Sequence, residues 1–390
     1  MRWRYQETVL SLVTLAFFVT MVGRLAISPV IPEVVTTFEI SNGVVGLALS
    51  GMWLAYGLAQ YPSGVLADRY GERRIILVAL GGTTIAALVV SLTPIFAVFF
   101  LSTVLLGAVA GLHYSVATTL LSRTYEHVGT AIGVHNTGAT IAGLLAPVSV
   151  AWIAVRFGWR LAIAAVALVG IPATALFAWK IRSTDPRRPD RPLRKSVRLD
   201  VFGELLSRPP IVFTLAVAIV GEFAWQGTAS FLPAFLIAHH EYSTTFAGGL
   251  FSLYFVTQGV AQVGVGVVSD RFGRDPALAG CMLAGVAGFA TLIGLSGLLP
   301  VVVGVSLVGV AMSFGAALMP RFLREFTAEE RNAGFGLVRT VYMIVASLGS
   351  VVVGSLADGF DWAVSFGVLG TLLALTFLAL LANRVLGLGY

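Results

Sequence analysis

Long apolar runs alternate with short clusters of charge, proline and glycine from one end of the chain to the other. Reading the apolar runs between these breaks gives twelve segments. Six lie at roughly 8–32, 43–67, 75–95, 97–121, 129–153 and 160–180, and six at roughly 210–236, 245–268, 276–296, 299–320, 333–356 and 363–384. Each matches the length of about 20 residues that a helix needs to cross a hydrocarbon core. Helices are the required form there, because they satisfy every backbone group internally. Between the sixth and seventh segments lies 181–209, which holds RSTDPRRPDRPLRKSVRLD, the one sustained polar stretch. Prolines sit among its charges, so it reads as a linker with a short helix near 198–206.

The pattern repeats. GVLADRYGERR occupies 64–74 and GVVSDRFGR occupies 266–274. Asp68 and Asp270 are separated by 202 residues, as are Gly71 and Gly273, and the corner tryptophans Trp159 and Trp362 by 203. Three landmarks at one period mean a duplicated membrane unit, the way transporters build two gates around one site. The expectation is an all-α polytopic membrane protein with two pseudo-symmetric six-helix bundles, 1–180 and 210–390. In each repeated segment, a glycine at the end of a span permits close helix packing. The aspartate can reach a neighbouring helix N-terminus or an arginine, and Gly71 and Gly273 permit a tight turn.

Composition narrows the class. The chain is 57% hydrophobic and 11% charged, with a mean hydropathy of +0.90, against about 25% charged residues in soluble domains. With both termini placed in the cytoplasm, inner loops and tails hold all but four of the 25 lysines and arginines; Arg156 and Arg160 lie outside, and Arg24 and Arg339 lie within spans. The asymmetry obeys the positive-inside rule and accounts for the net charge of +6 without nucleic acid, since basic loops face anionic headgroups. The first segment is too long for a signal-peptide core and no A-x-A pattern follows it. The one cysteine, Cys281, lies in the ninth segment; it excludes an internal disulfide scaffold or a cysteine metal site and is expected to pack. No cofactor is expected.

The repeated segments resemble the major facilitator superfamily along the whole chain. Gly64, Leu66, Asp68, Arg69, Gly71 and Arg73 match the family signature between the second and third helices, while Glu72 stands where a basic residue is usual. Gly266, Asp270, Arg271, Gly273 and Arg274 match in the equivalent place. The resemblance implies a central cavity open to one side at a time, an inner gate held by these loops, and no ATP hydrolysis. Lys180 and Lys195 are the only lysines and neither follows glycine, so no P-loop exists. GVHNTGATIAGLLAP at 133–147 is similar to the family's antiporter-associated motif, with Ala146 rather than glycine before Pro147; a small-residue helix at an interhelical seam is the plainer reading. His113 in the fourth span and G-x-H-N ahead of the fifth-span proline are similar to the fosmidomycin-resistance type of facilitator, which points to an acidic compound.

Polar groups inside apolar spans usually line a pathway, because charge at membrane depth is costly. Arg24 sits in MVGRLAISPVIP and Glu222 in VGEFAWQG, with Trp225 and Gln226 beside it. The repeat offset carries Arg24 onto Gln226 and Asn136, beside His135, onto Arg339, which has Tyr342 one turn on. Arg24, Arg339, Tyr342, Gln226, Trp225 and Asn136 are therefore candidate substrate contacts. Glu222, His113 and His135 are candidate proton carriers. The aromatics Trp53, Tyr56, Tyr254 and Tyr342 can line a cavity or simply pack. Arg24 paired to Glu222 as a structural lock, and His113 as a hydrogen-bonded packing residue, are the bland alternatives. Two buried arginines against one acid favour an anionic or carboxylate-bearing substrate. The expected function is secondary active transport in the plasma membrane by a monomer, coupled to an ion, with the proton first in line. The alternatives are a drug/proton antiporter for amphiphilic compounds and a transporter-like receptor or scaffold. A membrane enzyme finds no H-E-x-x-H, no paired carboxylates on one buried face and no nucleophile elbow.

Overall fold

A computed structural model describes residues 5–186, 207–326, 330–388 and 390. The described residues are helical, with no strand among them. Twelve helices are long and apolar enough to cross a membrane. In the first half they are α1 (Tyr5–Phe38), α2 (Asn42–Tyr70), α3 (Glu72–Ser91), α4 (Phe96–Thr124), α5 (Val128–Phe157) and α6 (Trp159–Lys180). In the second they are α7 (Pro209–His240), α8 (Thr244–Phe272), α9 (Arg274–Gly294), α10 (Leu298–Phe322), α11 (Val338–Gly359) and α12 (Trp362–Val385). The expected short helix near 198–206 lies outside the described residues.

Several spans are broken where the sequence places polar groups or proline. A 3-10 turn at Ser28–Val30, with Pro29 inside it, interrupts α1 just beyond Arg24. The helix of α4 stops at Gly111 and restarts at His113. By contrast, α5 runs unbroken through Pro147.

The chain divides into two compact units, Met1–Ile40 with Ala48–Val197 and Ser41–Leu47 with Arg198–Tyr390. In the first, apolar faces of α1, α3, α4 and α6 meet around Val13, Ile76, Val116, Leu121 and Phe177, all buried. In the second, α9 packs on α10 and α12. Each unit has a very close helix crossing at the equivalent place. A Cβ on Gly107 of α4 would lie 2.0 Å from the Met52 carbonyl oxygen of α2. A Cβ on Gly309 of α10 would lie 2.7 Å from the Tyr254 carbonyl oxygen of α8. These crossings obey the same 202-residue offset, and only glycine allows the backbones so near.

The corners are capped locally. Asp361 accepts from the Val364 N–H at 2.7 Å and so starts α12, as expected of an N-cap aspartate. The first turn of α2 belongs to the second unit, where Asp358 at the end of α11 accepts from the Asn42 N–H (3.0 Å), the Gly43 N–H (2.6 Å) and the Asn42 Nδ2 (2.8 Å). This carboxylate satisfies helix N–H groups that would otherwise lack partners.

Candidate functional site

In the first unit, the polar groups of the apolar spans converge. Arg24, 4% exposed on α1, stacks its guanidinium over Tyr56 (4.1 Å) and Trp53 (5.6 Å) of α2. Its Nε donates to the Thr20 carbonyl at 3.2 Å, and Nη2 lies 3.2 Å from the Met21 sulfur. Within this unit no described carboxylate pairs with it. Nearby, Phe17, His113 of α4 and His135 of α5 form a triangle of rings, with Phe17 5.6 Å from His113 and 4.8 Å from His135 and the two imidazoles 5.4 Å apart. Both histidines are fully buried, and none of their four ring nitrogens is within hydrogen-bond geometry of a described partner. The Val13 backbone runs alongside His135, and the charge of Arg24 reaches His113. Tyr114 completes the cluster, 6.0 Å from His135.

In the second unit, Glu222 of α7 has Arg339 of α11 as the charge acting on it, and its own charge reaches Tyr254 of α8. Both Glu222 and Arg339 belong to the second unit. Gln226, one turn beyond Glu222, is fully buried with neither amide atom hydrogen-bonded. Trp225 is half-buried on the same helix. Asn136 of α5 has a buried carbonyl oxygen without a hydrogen bond. Tyr342, in contrast, stacks on Phe322 of α10 at 6.5 Å, which is a packing contact.

The repeated loops take their expected turn. Gly71 and Gly273 have φ of +85° and +98°, values that side-chain-bearing residues rarely adopt. A Cβ on Gly71 would also meet the Thr184 carbonyl oxygen at 2.3 Å. The expectation of close packing at Gly64 and Gly266 is not met: a Cβ on either would meet nothing within 4 Å. Asp68 and Arg69 are half-buried, whereas Asp270 and Arg271 are exposed. Arg73 caps the end of α6, donating from Nε to the Ile181 carbonyl (2.7 Å) and from Nη2 to the Ala178 carbonyl (2.5 Å). A cation on the last carbonyls of a helix complements its dipole. Its N–H also donates to Thr184 Oγ1 at 3.0 Å, so the start of the linker is docked on this loop.

Glu72, the departure from the family signature, has a structural reason. It lies in the first turn of α3 and forms an ion pair with Arg123 at the end of α4. The second unit repeats the arrangement with Asp275 in the first turn of α9 and Arg321 near the end of α10. In each unit the acid also sits favourably at a helix N-terminus. The side chain of Glu72 is 3% exposed and that of Arg123 35% exposed. Arg123→Ala is therefore expected to destabilise the protein by about 1–3 kcal/mol, because it strands a buried carboxylate. Glu72→Ala is expected to cost less, since Arg123 reaches water. Thermal unfolding of both variants in detergent measures the difference; equal losses would mean the pair is not governed by burial.

Comparison with known proteins accords with this architecture. The profile described as Major Facilitator Superfamily matches residues 13–252 and 223–386. The Membrane sensor protein UhpC of Salmonella typhimurium is 23% identical over 184 residues, 46% of this chain and 42% of that protein. The Hexuronate transporter of Bacillus subtilis is 21% identical over 323 residues, 77% of this chain and 75% of that one. The chain spans less than half the length of the first curated relatives it matches. Among solved structures, a bacterial homologue of the human lysosomal transporter Spinster, inward-facing and unoccupied, superposes with a TM-score of 0.82 at 18% identity, covering 98% of both chains. The chain belongs to the Major Facilitator Superfamily, with twelve helices among its described residues long and apolar enough to cross a membrane.

Proposed function

We propose that the protein is a proton-coupled secondary active transporter for a small organic anion or carboxylate-bearing compound, working by alternating access. The observation that carries this reading is Arg24, a buried guanidinium held by a carbonyl, a thioether and two aromatic faces but by no carboxylate of its own unit. A charge at membrane depth is costly until it is partnered, and a substrate carboxylate or phosphate fits a guanidinium fork in two-point contact. Trp53 and Tyr56 flank the same group and supply apolar contact for the rest of the substrate. The Hexuronate transporter of Bacillus subtilis is named for a carboxylate-bearing sugar, in keeping with this class.

Glu222 with Arg339 is assigned the coupling proton. Gln226, Trp225 and Asn136 remain candidate substrate contacts on these helices, while Tyr342 is assigned to packing. The loops around Asp68 and Asp270 are assigned to the inner gate. Both termini are placed in the cytoplasm of a plasma-membrane protein, on the distribution of basic residues, and the working unit is taken as a monomer.

Purified protein in proteoliposomes tests this reading. A panel of radiolabelled organic acids, sugar acids and lipophilic amines is offered with and without a pH gradient. Accumulation of an acid that collapses when the gradient is dissipated is the expected result. Accumulation of amines alone would establish drug/proton exchange instead. Ligand binding without accumulation would favour a sensor, the role that the name of UhpC gives it.

A further inference from the structure

A further polar cavity adjoins the second repeated loop and the Asp275–Arg321 pair, at one end of the second unit. There the last turn of α8, the first turn of α9, the end of α10 and the end of α12 enclose a cavity of about 970 Å³. Four arginines line it, Arg274, Arg321, Arg324 and Arg384, against two acids, Asp275 and Glu325. Asp275 is consumed by its ion pair with Arg321. Arg321 is further held by Thr214 Oγ1 at 2.9 Å and by the Tyr390 backbone oxygen. That leaves Arg274, Arg324 and Arg384 facing the side-chain carboxylate of Glu325.

Two further features make this more than a charged surface. Arg274 has a buried Nη1 with no hydrogen-bond partner. The residue before it, Gly273, begins α9 without a side-chain cap, and the first turn of that helix lines the same cavity. Unpaired guanidinium N–H, a positive helix end and converging arginines are the elements that bind a tetrahedral oxyanion. Asp275 in that first turn is already neutralised, so it does not repel an incoming anion. The mouth also carries exposed apolar groups, Phe272 at the end of α8 and Val385 at the end of α12. Helix ends of membrane spans lie at headgroup depth, where basic pockets between helices take anionic lipid headgroups.

We infer that this cavity binds a phosphate-bearing anion, its phosphate seated against Arg274 and the start of α9 and closed over by Arg324 and Arg384. The chemistry is shared by an anionic phospholipid headgroup and a soluble phosphate. The inference is independent of the transport reading, because it concerns binding at one end of a single unit.

The test uses full-length protein and an Arg324→Ala/Arg384→Ala double variant. Both positions are exposed, so the variant keeps the buried ion pair and its packing. Thermal unfolding is measured in an uncharged detergent with added inorganic phosphate, and in nanodiscs of phosphatidylcholine with or without phosphatidylglycerol. Equal concentrations of chloride serve as the ionic control. A ligand that binds only the folded state raises its melting temperature, and a rise of at least about 2 °C is expected in one arm. The double variant is expected to need at least about tenfold more ligand for the same rise. A rise with phosphatidylglycerol alone identifies a lipid headgroup; a rise with inorganic phosphate identifies a soluble anion. No rise in either arm, a rise matched by chloride, or an equal rise in the double variant would overturn the proposal.

Discussion

Glu222→Gln is expected to abolish gradient-driven accumulation while leaving substrate-for-substrate exchange intact. The argument starts from cost. An ionised carboxyl within an apolar span is unfavourable, and Arg339, the charge that acts on Glu222, offsets that cost. Loss of the Arg339 contact as the surrounding helices rearrange would remove the offset and drive proton uptake by the carboxyl; its return would release the proton. Glutamine keeps the shape and the hydrogen-bonding capacity and removes the exchangeable charge. The substrate contacts at Arg24 lie in the other unit and are untouched, so exchange continues. One proton moved across a gradient of one pH unit supports about tenfold accumulation, from about 1.4 kcal/mol per unit. That factor should fall to about one in the variant. Accumulation and exchange are measured in the same proteoliposomes. Tenfold accumulation in Glu222→Gln would exclude this residue and transfer the proton to the His113–His135 pair.

The twelve spans were legible in the sequence because the bilayer leaves little choice: an apolar run of the required length must be a helix that satisfies its own backbone. The duplication was legible because glycine and aspartate at turns stand out against apolar runs. The same offset also relates Gly107 to Gly309, yet the two close crossings they permit went unnoticed, since a glycine inside an apolar run has many explanations. The ion pairs were hidden for another reason. Glu72 and Arg123 are separated by most of two helices, as are Asp275 and Arg321, and no periodicity links residues at the ends of different spans. Glu72 therefore looked like a departure from a signature when it is half of a pair. Phe17, which stacks on both histidines, is one apolar residue in an apolar helix and carries no signal. Depth in the membrane was readable for Arg24, Glu222 and Arg339, but partners were not. Depth follows from position along one span, whereas partners depend on which helix faces lie side by side.

Substitution of Arg24 is expected to produce the largest loss of substrate binding. Arg24→Ala removes a buried charge that has no carboxylate partner among the described residues of its unit, together with its stacking on Tyr56 and Trp53. Each charge-assisted hydrogen bond to a bound anion contributes about 1.5–3 kcal/mol, or roughly 10- to 150-fold in affinity. Two-point contact places the expected loss at or beyond the upper end of that range. Arg24→Lys should recover only part of it, because an ammonium keeps the charge but cannot present a planar fork or stack as a guanidinium does. The variants also report on folding. The carbonyl, thioether and aromatic contacts of Arg24 only partly offset the desolvation of its charge, so alanine should leave thermal stability little changed, since no described carboxylate of its unit is stranded by its removal. Equilibrium binding of the accumulated acid and melting temperature, measured on the same purified samples, separate the two effects. Weaker binding with an intact melting temperature is the expected pair of results. Wild-type affinity in both variants would return Arg24 to a structural role and remove the basis for an anionic substrate.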